Sequence, residues 1–148
     1  MTPVFKIKRF NELSVFELYQ ILELRSEVFV VEQNCVYQDI DGKDQMALHL
    51  LGTFEGKIVA YVRLFAPGDY FDNASIGRVV ISPKFRDRKW GHSLMTAAIG
   101  AIQDEFNTSA ITISAQLYLK KFYEGHGFVQ DGDEYLEDDI PHIKMHKE

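Results

Sequence analysis

The hydrophobic period of this chain switches repeatedly between two and about 3.6, and the order of those switches limits its fold more than any other feature. VFKIKRF alternates apolar and polar residues from Val4, as a half-buried strand does. Ser14 with Glu17 three residues on has the pattern of a capping box, and Leu18, Ile21, Leu22, Val28 and Phe29 then recur at helical spacing. Residues 48–54 and 58–65 are strand-like and flank Glu55-Gly56-Lys57, a hairpin turn. After the loop APGDYFDN comes the strand ASIGRVVIS, closed by Pro83, which has no N–H to give a ladder. A helix from about Gly91 carries Leu94, Met95, Ala98, Ile99 and Ile102 on one side. SAITISA reads as a short strand and QLYLKKFYEGH as a helix with Gly127 as its left-handed cap. Strand-like pieces at Phe128–Gln130 and IPHIKMH finish the chain. The order β-α-β-β-β-α-β-α-β-β predicts an α/β or α+β fold, helices on a mixed sheet. No repeat or linker interrupts it, so a single domain over residues 1–148 is expected.

Composition narrows the partners. With 148 residues, 46% of them apolar, the chain buries roughly two-thirds of its unfolded surface. Its 16 basic against 22 acidic residues give a net charge of -6, which argues against a nucleic-acid partner, since phosphate neutralisation needs a basic face. Cys35 is the lone cysteine and has no internal disulfide partner; MTPVFKIKRF contains no long apolar run. No membrane span or signal peptide is expected, and the cytoplasm is the expected address.

Several chemical motifs are excluded. Gly42-Lys43 and Gly56-Lys57 are followed by Asp44 and Ile58, so neither is a P-loop, and there is no G-x-G-x-x-G or G-x-S-x-G. DIDGKD at Asp39–Asp44 fails as a calcium loop, because Lys43 and Leu50 fall where oxygen ligands are needed; a solvated acidic loop is the expectation. His142 and His146 have the H-x-x-x-H spacing, but their neighbours alternate as in a strand. Four strand residues span about 13 Å, too far for one metal ion. Cys35 is expected to be a bystander thiol. Arg25, Arg63 and Arg78 sit among apolar residues and need partners; structural ties to Glu32 and other carboxylates are expected. The six acidic residues within Asp131–Asp139 read as a solvated loop that biases a nearby site toward cations.

KFRDRK places Lys84, Arg86, Arg88 and Lys89 between a strand and a helix start, where free amides and the helix dipole favour an anion. On the loop alone a solvated turn is the plainer reading. IGRVVISPKFRDRKWGHSLM, however, resembles the coenzyme-A-binding segment of GNAT-superfamily N-acetyltransferases: a strand, a Pro, then [RQ]-x-x-G-x-[GA] opening a helix. Arg86 takes the first motif position and Gly91 the last. AQLYLKKFYEGHGF resembles the second family signature, with Gln116 seven residues before Tyr123. FVVEQNCVYQDIDGKD, IGRVV and EDDIPHIKM resemble the ElaA-like branch. One departure stands out: Lys89 replaces the middle glycine, useful where backbone approaches a phosphate or takes positive φ, and Asp87 stands where many members have another.

The resemblance implies an acyl-CoA N-acyltransferase fold, with a mixed, mostly antiparallel central sheet flanked by helices and splayed to admit acetyl-CoA. It implies that the backbone of Val79, Val80 and Ile81 holds the pantetheine arm and acetyl carbonyl. Amides of Arg86, Asp87, Arg88, Lys89, Trp90, Gly91 and His92 would wrap the pyrophosphate. Gln116 would touch the pantetheine, and Tyr123 would face the thioester sulfur. The acceptor would be a small-molecule or peptide amine, with a homodimer allowed for and no metal. An ammonium with pKa near 10.4 must lose a proton at pH 7, at a cost of about 4.6 kcal/mol. Glu32 and His49 are the candidate bases, with His142 a third; each has an ordinary structural or surface role as its alternative. Two function classes follow: an N-acetyltransferase, or an acetyl-CoA-binding module of the same fold without efficient chemistry.

Overall fold

The strands assemble into one eight-stranded sheet in a computed structural model that describes residues 1–148. β1 (Val4–Arg9), β2 (Leu48–Phe54), β3 (Lys57–Phe65) and β4 (Ala74–Ile81) form an antiparallel meander. The β2–β3 turn has Glu55 at φ 52° and Gly56 at φ 78°, the two positive values that a tight hairpin matched to strand twist requires. β4 pairs in parallel with β5 (Ile111–Gln116), and β8 (Ile140–Lys147) runs antiparallel to β5. β6 (Val129–Gln130) and β7 (Tyr135–Glu137) share the outer edge of β8. The sheet is therefore mixed and mostly antiparallel, as the family resemblance implies.

Helices cover both faces. α1 (Val15–Arg25) starts at Ser14, whose hydroxyl accepts from the Glu17 amide while the Glu17 carboxylate accepts from the Ser14 amide, the expected capping box. Ile21, Leu24 and Val28 pack on Leu51, Tyr61 and Val80. α2 (Trp90–Phe106) lays Leu94, Met95, Ala98 and Ile102 on the other face, against Leu50, Val62, Leu64 and Ile113. Full burial of each large apolar side chain contributes about 1.5–3 kcal/mol. No helix is long and apolar enough to cross a membrane.

Four local expectations need correction. α1 stops at Arg25 and continues as a wider π-helical turn over Ser26–Glu32, so Val28 and Phe29 belong to that turn. The helix read at residues 116–126 is a 3-10 turn, Leu117–Leu119, followed by the short α3 (Lys120–Glu124), with Gly127 at φ 94° as expected. Asp131–Asp139 is not wholly a solvated loop. Asp138 and Asp139, at φ 51° and 63°, make a second tight hairpin that folds β7 onto β8. Aspartate tolerates this left-handed conformation better than most residues do.

The fourth correction concerns DIDGKD. Asp39 and Asp44 are buried, because they neutralise Arg25 and Arg63, themselves 0% and 1% exposed. Arg25 Nε donates to Asp39 Oδ2 at 2.9 Å and its Nη1 to Asp44 Oδ1 at 2.8 Å. Arg63 donates to both oxygens of Asp41 and to Asp44. Arg78 Nε lies 2.8 Å from Asp39 Oδ1, off the line of a hydrogen bond, while its Nη2 donates to the Asp39 carbonyl oxygen at 3.1 Å. The three arginines are structural ties as expected, but to these aspartates and not to Glu32.

Candidate active site

Parallel pairing between β4 and β5 is limited to Ala74–Ile111 and Ser75–Thr112. Beyond it the strands part and open a cleft of about 860 Å³, walled by residues 76–81 of β4 on one side and by Ile113, Ser114 and Gln116 of β5 on the other. The β4 wall is irregular. Arg63 faces Gly77 and Tyr61 faces Val80, so three steps of β4 match two of β3. The extra residue is a bulge, with Arg78 at φ 52°, and neither Arg78 nor Val79 has a β3 residue opposite it. Both residues line the cleft. The aspartates that grip the Arg78 guanidinium hold this strained residue in place. Val79, Val80 and Ile81 all line the cleft.

The basic loop closes one end. Pro83–Arg88 forms a 3-10 turn, Lys89 takes φ 59° and ψ 28°, and α2 then begins with no side chain capping its first amides. Those amides and the helix dipole suit an anion. Lys89 thus adopts the left-handed conformation for which the motif has glycine. Of the loop's residues, Arg86 and Gly91 line the cleft. Arg88 instead lies over Phe54, Phe85 and Trp90, at 5.3–5.5 Å from the ring centres. Asp87 and Lys89 are exposed, Trp90 donates to the Met1 carbonyl, and the His92 ring contacts His126 at 3.0 Å.

Two bridges cross the cleft from the π-helical turn and the residue after it. Arg86 holds both oxygens of Glu32, at 2.7 and 2.5 Å, and Gln116 exchanges amide hydrogen bonds with Gln33 at 3.2 and 3.3 Å. The Arg86 hydrogen bonds hold the Glu32 carboxyl below its ordinary range, which makes it a weaker base. His49 does not line the cleft. It is 1% exposed, with Nδ1 2.6 Å from the Tyr61 hydroxyl and Nε2 2.8 Å from the Asp44 carbonyl oxygen, and burial lowers its pKa. Sequence could not separate these two positions, because Glu32 meets Arg86 from 54 positions away and His49 is enclosed by Tyr61 of the next strand.

Tyr123 of α3 is 6% exposed and lines the cleft; its carbonyl oxygen accepts from the His126 and Phe128 amides, while its hydroxyl has no partner in the protein. Burial raises its pKa and keeps the phenol protonated. The far wall holds groups that sequence reasoning left unconnected: Ser114, Glu137 and His142, from β5, β7 and β8. Their adjacency comes from the pairing of β5 and β7 with β8, of which only the strand-like SAITISA and IPHIKMH were legible.

An acyl-CoA fits these residues. The bulged β4 strand, the uncapped start of α2 and Tyr123, whose hydroxyl has no partner, all line one cleft, where a thioester, a pyrophosphate and a thiol would find partners.

A family model described as an acetyltransferase (GNAT) domain matches residues 12–148. The protein ElaA of Escherichia coli strain K12 is 41% identical over 140 residues, covering 93% of this chain and 92% of that protein. The crystal structure of an acyl-CoA N-acyltransferase from Pseudomonas aeruginosa matches with a TM-score of 0.91 and 41% identity, over 98% of this chain and 99% of that one. The crystal structure of Escherichia coli ElaA matches over 100% of both chains, with a TM-score of 0.92 and 39% identity.

Proposed function

The chain belongs to the GNAT acetyltransferase family and has the acyl-CoA N-acyltransferase fold, and from that premise we propose that it transfers an acetyl group from acetyl-CoA to a primary amine by direct attack on the thioester. One observation carries the reading: a bulged β4 and the buried Tyr123, whose hydroxyl has no side-chain partner, line the same splayed cleft. In this reading the backbone at Val79–Ile81 aligns the acyl carbonyl and stabilises charge developing on its oxygen. Amides at Arg86–His92 hold the pyrophosphate, and Gln116 meets the pantetheine once its exchange with Gln33 loosens. Acetyl-CoA supplies the activated acyl group; the chain supplies alignment and proton handling. Full proton transfer from a tyrosine to a thiolate is uphill, by about 2 kcal/mol at ordinary pKa values, and burial of Tyr123 steepens it. Tyr123 therefore acts by hydrogen-bonding the sulfur as negative charge grows there. The proposal extends to a cytoplasmic setting, which suits a buried free thiol at Cys35.

The test is release of free coenzyme A thiol from acetyl-CoA with a panel of primary amines: an alkylamine, a lysine ester and a polyamine. Turnover is expected with at least one. Tyr123→Phe is expected to keep acetyl-CoA affinity and to lower kcat tenfold to a thousandfold, a loss of about 1.4–4 kcal/mol. Acetyl-CoA binding without turnover would leave a binding module, and equal kcat would make Tyr123 a packing residue.

A further inference from the structure

An ammonium acceptor must give up a proton before its nitrogen can attack, and the two carboxylate and imidazole candidates nearest in expectation are both engaged elsewhere. Glu32 is clasped by Arg86, and His49 lies outside the cleft. The wall opposite β4 offers another group. His142 is 6% exposed and lines the cleft. Its Nδ1 is 2.7 Å from the Ile140 carbonyl oxygen. A carbonyl oxygen only accepts, so Nδ1 carries the hydrogen and the neutral ring keeps its lone pair on Nε2. Nε2 is 3.5 Å from Glu137 Oε2, and the Tyr135 ring stacks on the imidazole with centres 6.1 Å apart. Glu137 is steadied in turn by Ser114, whose Oγ donates to Oε1 at 3.1 Å and also bonds the Tyr135 hydroxyl. Ser114 touches the carboxylate and not the imidazole, so this is no nucleophile–base pair. It is a base with its tautomer fixed on one side and a carboxylate waiting on the other.

We propose that His142 is the general base of the reaction, with Glu137 as its positioning residue, a proposal that rests on the acyltransferase reading above. His142 Nε2 takes one proton from the bound ammonium, and the imidazolium is then held between the Ile140 carbonyl and the Glu137 carboxylate. The freed nitrogen pair attacks the thioester carbonyl; the N–C bond forms and the C–S bond breaks, with the C–S electrons leaving on sulfur. The second nitrogen proton departs as the amide forms, and the thiolate takes up one proton to leave as free thiol. His142 returns its proton to solvent, so the cycle releases one proton overall.

The experiment compares two acceptors with acetyl-CoA at pH 7: an alkylamine, which is an ammonium there, and hydroxylamine, which is uncharged and needs no prior deprotonation. His142→Ala is expected to lower kcat for the alkylamine by on the order of a hundredfold or more, to change hydroxylamine turnover little, and to regain activity with added imidazole. Acetyl-CoA affinity and melting temperature should stay near wild type. Glu137 is 45% exposed, so Glu137→Gln folds readily; it should lower alkylamine kcat several-fold and leave hydroxylamine alone. Unchanged alkylamine kcat in His142→Ala, or equal loss with both acceptors and no imidazole rescue, overturns the proposal and leaves the acyltransferase reading intact. Wild type that binds acetyl-CoA but acylates neither hydroxylamine nor any amine of the panel above overturns both.

Discussion

Lys89 occupies a backbone conformation that glycine adopts freely and that disfavours a side chain by about 1–2 kcal/mol. Its position explains why: the chain must reverse between the 3-10 turn and α2, and the first amides of α2 are aimed by that reversal. Lys89→Gly should relieve the strain. The greater freedom of glycine in the unfolded chain takes back about 0.5–1 kcal/mol. A net rise in Tm of about 1–4 °C is expected by calorimetry, with acetyl-CoA affinity retained. Lys89→Val, β-branched at positive φ, should lower Tm instead. If both variants melt alike, the turn carries no strain. A family motif made this position visible, yet the sequence alone did not say whether lysine would reshape the turn or endure it.

The loop over Asp39–Asp44 behaves as part of the core. Burial alone would raise the carboxyl of Asp41, but hydrogen bonds from Arg63 outweigh it and bring Asp41 down to about 2; Arg25 and Arg63 likewise hold Asp44 low. Carboxyls depressed in the folded state stabilise it fully above their unfolded pKa near 3.9, and that stability fades as pH falls through the folded values. Asp44→Asn leaves Arg25 and Arg63 short of a counter-charge and should cost about 3–5 kcal/mol at pH 7. The gap between wild type and Asp44→Asn, read by urea unfolding, should narrow as pH drops from about 4 to 2; a constant gap would place the cost in lost packing. Regular elements were legible because their signals are local: Ser14 with Glu17, the alternation of β1, the apolar stripe of α2. The ion-pair loop was not, since 22 positions separate Asp41 from Arg63 in the chain, and acidic residues near a glycine look solvated until their partners are known. Tyr123, Gln116 and residues 79–81, singled out through motifs that travel as units, all line the cleft. The Ser114–Glu137–His142 wall depends on pairing across three strands, which no single segment encodes.

Across the whole molecule, the cleft is bridged by side chains from opposite sides. The Arg86–Glu32 pair is close to half exposed on both partners, so solvent screens it and its share of stability is small. Its effect on ligand capture should be larger, since a phosphate competes with Glu32 for the same guanidinium. Glu32→Gln is expected to leave Tm nearly unchanged while tightening acetyl-CoA binding about three- to tenfold and steepening its salt dependence, measured by titration calorimetry at two ionic strengths. Weaker binding would mean that Glu32 orders Arg86 for the phosphate. The two arms of the sheet, β1–β4 and β5–β8, share one core but a ladder of only two residue pairs, with Asn73 reaching over to the Thr112 hydroxyl at 3.2 Å. That seam is a fulcrum. From Thr112 to Gln116 is about 13 Å of strand, so a rotation of roughly 5° at the seam moves the mouth of the cleft by about 1 Å. Misplacement on that scale can cost a reaction about a hundredfold. The most sensitive control over the reacting distance therefore sits at the closed end of the sheet, among small residues such as Ala74, Ser75 and Thr112 that touch no substrate.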